Sequence, residues 1–300
     1  TLNYSVPFIL CGLSMGFAKR VGLFNIGGEG QYIMGMTIAQ SIALLGPRIP
    51  VMHWMLAMVG AVLIGSLWGG VVGILKAKYE VSEVVSTIML NYVALYLSRI
   101  ICLQLPGATT YKTANFPETA LIGNAFFQKI TNNSLLNNGI FMMVGAVLVY
   151  WFIMEKTSLG YGMRATGFNK DAARASGIPV VKSISISMAI SGAFAGLAGG
   201  IVALGSFKYG RVLSGMDNYG FDGIAVALVG NCTALGTTLA GLLFGLLKNA
   251  QALMQGKQIP KEITFIIQGL IVIFIALRSA LKLYQEYLDK KQLQKEVGVK

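Results

Sequence analysis

Nine stretches of apolar residues, parted by short polar connections, limit what this chain can fold into. They run over 4–18, 29–46, 52–75, 82–104, 138–154, 183–206, 217–230, 233–250 and 261–281. A helix needs about 20 apolar residues to cross a bilayer, so several segments are full length. Two, 4–18 and 217–230, are short. Backbone amides find no water inside a membrane, so each segment must satisfy its own hydrogen bonds as a helix. With 55% hydrophobic and only 12% charged residues among 300, a water-soluble globule is excluded. The expected fold class is therefore all-α, a polytopic bundle of membrane helices in which residues 1–300 form one transmembrane domain.

The cations orient the bundle. Placing the polar stretch 155–182 and the tail 282–300 in the cytoplasm puts fifteen Lys/Arg inside and leaves nine outside or within spans. The reverse breaks the bias of Lys and Arg toward cytoplasmic loops. The net charge of +12 is thus explained by topology and anionic headgroups, and no nucleic-acid partner is expected. Nine crossings and a cytoplasmic C-terminus put residue 1 outside, so a further N-terminal helix is expected, ten in all. The tail reads as a surface helix, with Glu286 and Lys290 one turn apart. Segment 105–137 reads as an exterior loop.

Glycines four apart recur: Gly12 and Gly16; Gly65, Gly69 and Gly73; Gly192, Gly196 and Gly200; Gly241 and Gly245. Such spacing lets helix backbones approach closely where lipid gives little drive to associate. The chain's own bundle is the simplest partner, and a second membrane subunit is the other.

Polar residues break the apolar pattern in three places. Residues 22–31 hold four glycines beside Asn25, Glu29 and Gln31. That composition reads either as a broken helix lining a cavity or as a tight turn with Glu29 capping the next helix. Residues 81–92 place Ser82, Glu83, Ser86, Thr87 and Asn91 at helical spacing, a stripe that must face protein or water. It reads as a wall of a translocation pathway or as hydrogen bonding between helices. Residues 217–231 again join glycines and a carboxylate, Asp222, to a short apolar run ending at Asn231. Paired interruptions in opposite halves are a pointer to a midplane site, although the local match between 24–25 and 221–222 is brief. The candidate pathway set is therefore Asn25, Glu29, Gln31, Glu83, Ser86, Thr87, Asn91, Asp222 and Asn231.

Catalytic patterns are missing. The sequence has no phosphate loop, no metalloprotease helix and no nucleophile elbow. Its lone histidine, His53, sits at an expected membrane boundary and reads as interfacial rather than as a ligand. Cys11, Cys102 and Cys232 lack paired spacing, so neither a disulfide framework nor a metal site is expected. Nor is there a rank of buried acids suited to ion coupling. The chain reads as a transporter component without a cofactor or metal of its own, powered from elsewhere.

Four blocks carry a resemblance: LFNIGGEGQ at 23–31, VSEVVSTIMLNY at 81–92, RATGFNKDAARASGI at 164–178 and YGFDGIAVALVGN at 219–231. In this order they resemble the permease subunits of bacterial ABC importers, in the branch serving simple sugars, branched-chain amino acids and nucleosides. The first two blocks are most similar to nucleoside permeases. The resemblance implies a ten-helix permease of the vitamin B12 importer type in the bacterial plasma membrane. It implies a second homologous permease, a double-cassette ATPase that binds the ATP and Mg, and an extracellular substrate-binding lipoprotein. Residues 164–178 match the family's coupling helix, carrying over Arg164, Gly167, Asn169, Ala172, Ala173 and Gly177, with Phe168, Lys170 and Ile178 in the same stretch. The expected cargo is a small neutral polar solute, a nucleoside before a simple sugar or a branched-chain amino acid. A secondary transporter or channel working alone is the rival from another class.

Overall fold

A computed structural model describes residues 1–123, 136–260, 262–274, 277 and 285, without the side chain of residue 252. The expected tail helix and its Glu286–Lys290 pair lie outside the described residues, as does part of the 105–137 loop.

Each of the nine apolar segments is a helix over its described residues. They are α1 (Leu2–Arg20), α2 (Gly28–Leu45), α3 (Met52–Tyr79), α4 (Glu83–Leu103), α5 (Gly139–Lys156), α8 (Val180–Ser206), α9 (Tyr219–Val229), α10 (Ala234–Gly256) and α11 (Glu262–Phe274). Between α5 and α8 lie two shorter helices, α6 (Ser158–Phe168) and α7 (Lys170–Ala175). Among the described residues, α3, α4, α5 and α8 are long and apolar enough to cross a membrane unaided. The exposed sides of α3, α4 and α5 carry Leu63, Leu67, Met89, Tyr96, Phe141 and Phe152, as contact with lipid requires. The structure is that of a multi-pass membrane protein.

By contacts the chain divides into two compact units, Thr1–Asn249 and Ala250–Lys300. In the second, Gln251 hydrogen-bonds Thr264. The first holds every residue discussed below.

The short first segment is the centre of that unit, for α1 is buried on all sides from Ser5 to Ala18. Around it, α2, α3 and α8 pack backbone to backbone through the glycines four apart. A Cβ on Gly192 of α8 would lie 2.1 Å from the Gly65 carbonyl oxygen of α3, so neither helix tolerates a side chain there. Of the expected polar stripe, Thr87 and Asn91 face inward with Ala94, Ser98 and Cys102, whereas Ser82 is exposed and Glu83 and Ser86 are partly exposed. Ser98 reaches Thr37 of α2 at 2.7 Å, and Asn91 takes the Gly30 amide at 2.8 Å.

Two features add to the expected outline. In the connection after α4, β1 (Lys112–Asn115) pairs antiparallel with β2 (Tyr209–Arg211), with Lys112 opposite Arg211. And His53, near the start of α3, is buried, its ring nitrogens bridging the Thr119 hydroxyl (2.9 Å) and the Ile42 carbonyl (3.1 Å).

Candidate functional site: the interrupted helices and the polar face at 155–182

Both α2 and α9 begin against the body of α1. Asn25, in the glycine-rich turn before α2, lies level with Ser14 in the body of α1. Tyr219 at the start of α9 packs edge-on against Phe8 of α1, ring centroids 5.1 Å apart. Both helix N-termini therefore open inside the bundle, where orphan amides must find acceptors.

Glu29 supplies those of α9. Its two carboxylate oxygens accept the amides of Asn218 (2.8 Å) and Gly220 (2.7 Å), and the side chain is fully buried. No lysine or arginine pairs with it among the described residues. The positive ends of two helices, its own and α9, do the compensating. The capping reading is thus right in kind and altered in target: Glu29 caps a helix far away in sequence, not the one it begins.

Asn25 and Gln31 form a second knot. Asn25 donates to Gln31 (2.9 Å) and to the Ser191 hydroxyl of α8 (2.7 Å), while Ser191 also reaches the Ser14 carbonyl of α1 (2.7 Å). These groups tie α1, α2 and α8 together and leave no buried polar atom of Asn25 idle.

The remaining pathway candidates are dispersed. Thr87 and Asn91 sit in the α2–α4 seam, Asn91 also donating to the Ile26 carbonyl at 3.1 Å. Glu83 pairs with Lys76 at 2.8 Å, and Ser86 bonds back to the Ser82 carbonyl. Asp222 is half-buried on α9, and Asn231 is exposed in a left-handed turn at φ 52°. The structure gathers Asn25 with Gln31 and closes Asn91 against α2, but does not bring all nine into one wall.

The polar face is built from 155–182. The stretch expected as one coupling helix is two, because Asn169 breaks it and caps α7, its side-chain oxygen accepting the Asp171 (2.9 Å) and Ala172 (3.0 Å) amides. Gly177 ends the motif at φ 79°, where a glycine is needed. Ala173 is turned inward against Val72, Ile184 and Met188, whereas Phe168 is 92% exposed beside exposed Asn169, Lys170 and Ala172. Ile178 is half-buried next to that cluster. Gly167 lies under the turn after α1: a Cβ there would meet the Arg20 carbonyl oxygen at 2.7 Å. Glu155 of α5 holds Arg164 of α6 at 2.7 Å and also pairs with Arg20, the last residue of α1. The 155–182 segment is thus fastened to the foot of α1.

One charged pair escaped the reading of the sequence. Arg211 forms a two-pronged ion pair with Asp217 (2.6 and 2.7 Å), which also accepts the Tyr32 hydroxyl of α2 at 3.1 Å. Burial works against the Arg211 charge, yet Asp217 outweighs it and raises the guanidinium above its ordinary value. Opposite charges six residues apart in a short connection between apolar segments were the available signal.

Comparison with known sequences agrees with this architecture. The family described as branched-chain amino acid transport system / permease component matches residues 1–276. The "Guanosine ABC transporter permease protein NupP" of Bacillus subtilis is 41% identical over 97% of this chain and 84% of its own length. The "Nucleoside ABC transporter permease protein NupB" of Lactococcus lactis is 35% identical over 93% of this chain and 78% of its own. The "Glucose ABC transporter permease protein TsgB13" of Haloferax volcanii is 30% identical, covering 94% and 76%.

Proposed function

Because this chain belongs to the family of permease components of branched-chain amino acid transport systems, we propose that it carries nucleosides inward as the membrane-spanning subunit of an ATP-driven ABC importer. The chain is a permease component, and its family works with an ATPase and a substrate-binding partner. The observation that carries the choice of solute is the ranking of relatives. Those at 41% and 35% identity are named for guanosine and nucleosides, the one named for glucose stands at 30%. A simple sugar is the second reading on that same relative.

In this proposal the face at 155–182 is cytoplasmic and receives a double-cassette ATPase, while a second homologous permease completes the pore and an extracellular lipoprotein delivers solute. The exposed residues Phe168, Asn169, Lys170 and Ala172 meet the ATPase; Ala173 and Ile178 seat the segment on the bundle. Force passes from Gly167 and Arg164 to the foot of α1 and the turn leading into α2. Glu29 passes it to the start of α9. The polar seam of Asn25, Gln31, Thr87 and Asn91 is the closed part of the route, with Glu83, Ser86, Asp222 and Asn231 along its extension. Coupling of this kind requires the ATPase to bind the two states with different free energy.

The test is uptake by cells that lack their own nucleoside importers and express this chain with its partner subunits. Labelled guanosine should accumulate against its gradient, be displaced by excess nucleosides but not glucose, and stop when the ATPase is inactivated. Displacement by glucose alone would replace the solute. Accumulation without the ATPase would replace the mechanism.

A further inference from the structure

A cavity of about 340 Å³ opens where the N-terminal end of α1, the C-terminal end of α8 and the start of α9 meet. We propose that it is a binding site for a solute joining a flat aromatic ring to a polyhydroxyl group, the chemistry of a nucleoside; the class of solute rests on the function proposed above.

Position is the first argument. Tyr4 and Pro7 of α1 line the cavity, and α1 ends at Arg20 beside the 155–182 face. From Tyr4 to Arg20 is roughly 24 Å along a helix rising 1.5 Å per residue, most of a hydrocarbon core. The cavity thus lies at the opposite membrane boundary from the proposed ATPase face, where arriving solute would meet this chain.

Its lining is the second. Tyr4 supplies aromatic surface for a flat ring, beside Phe207, whose ring carries the Arg211 guanidinium at 4.7 Å, and Tyr219, whose ring packs on Phe8 and Tyr32. Arg211 and Asp217 present donors and an acceptor while neutralising each other, so an uncharged solute gains hydrogen bonds without burying a lone charge. Pro7 has no amide hydrogen to give the Asn3 carbonyl four residues back, which leaves an acceptor on the α1 side. Lys248 sits 5.8 Å from the Tyr219 ring centre, makes no ion pair within 4 Å among the described residues, and has its charge opposed by the Asp222 carboxylate of α9. The volume lies near the lower bound of small-molecule pockets, enough for a nucleoside and too little for a peptide.

The third argument is mechanical. Asp217 in the lining directly precedes Asn218, whose amide is held by Glu29. A change in the Glu29 contacts therefore moves one wall of the cavity, and occupancy of the cavity biases those contacts in return.

The test uses the complete transporter in membrane vesicles, with Lys248→Gln, Tyr4→Ala and, as a near-isosteric control on folding, Tyr219→Phe. Uptake of guanosine, adenosine, uridine, ribose and glucose is compared with membrane abundance and with ATP hydrolysis in the absence of solute. The expected result is unchanged abundance and basal hydrolysis, a fall of about fivefold or more in uptake for Lys248→Gln or Tyr4→Ala, and an altered ranking among the bases, as loss of one hydrogen bond or stacking surface predicts. Unaltered rate and ranking in all three variants would overturn the proposal. So would an equal loss for every solute, the mark of a contact with the delivering protein. If the wild-type transporter carries glucose and no nucleoside, the proposed function fails and the aromatic-ring class of the cavity falls with it; nucleoside uptake that the variants leave unaltered overturns the cavity alone.

Discussion

Glu29 is where the packing of this bundle is most exposed to a single substitution. Glu29→Ala removes both acceptors from the start of α9 and leaves the buried Gly220 amide and the part-buried Asn218 amide without them. An unsatisfied buried donor costs about 1–3 kcal/mol, so Gly220 alone predicts a loss of about that size, with a smaller addition from Asn218, which water reaches. Set against a typical total of about 5–15 kcal/mol, that is enough to lower the amount of folded protein in the membrane. Glu29→Gln keeps one acceptor oxygen but turns an amide donor toward the second N–H, so it should fall between wild type and alanine. The assay is the temperature of half-inactivation of the detergent-extracted complex, with membrane abundance beside it. Wild type should exceed Gln, and Gln should exceed Ala. An alanine variant as stable and abundant as wild type would refute the capping role. A Gln variant that is stable yet dead in uptake would instead show that the carboxylate itself is used during translocation.

Two further outcomes follow from the geometry. Gly192→Ala forces a methyl to within 2.1 Å of the Gly65 carbonyl, so α3 and α8 must separate; about 1–3 kcal/mol of destabilisation is expected, read as reduced abundance and a lower inactivation temperature. Phe168→Ala removes a ring that is 92% exposed among the described residues, so abundance should be unchanged while solute uptake per ATP hydrolysed falls severalfold; normal uptake would remove Phe168 from the ATPase contact.

How much of this was readable in advance depends on the distance over which each residue acts. Helix positions depend on local hydropathy, and the nine apolar segments match nine helices to within a few residues at most of their ends. The interruptions at 22–31 and 217–223 were equally legible, because glycine beside a polar residue weakens a helix wherever it stands. Their partners were not. Nothing near Glu29 indicates that its acceptors serve amides 189 and 191 positions later. The same limit hid the pairing of Lys112 with Arg211, two strands too short to announce themselves. The break at Asn169 was available locally, since asparagine prefers the cap position to a helix interior. The inward turn of Ala173 was not, because two adjacent alanines look alike until a neighbouring surface chooses between them. For that reason a bulky residue at Ala173 would test seating on the bundle, not contact with a partner.

The contrast between strong and weak contacts also indicates where a change of state must be taken up. The glycine-packed α3–α8 crossing has no slack, and the Asn25, Gln31 and Ser191 knot binds α1, α2 and α8 through several short hydrogen bonds. Sliding any of these past one another would break close packing or strand buried polar atoms, so they move as one body. The softer joint left is Glu155 to Arg20 and Arg164, whose side chains are about a quarter to a third exposed. Exposed ion pairs contribute about 0–1 kcal/mol each and exchange readily with water. The start of α9 is no such joint: a Cβ on Gly220 would lie 2.1 Å from the Glu29 amide nitrogen, and both Glu29 oxygens hold amides there, so α9 belongs at its start with the packed body.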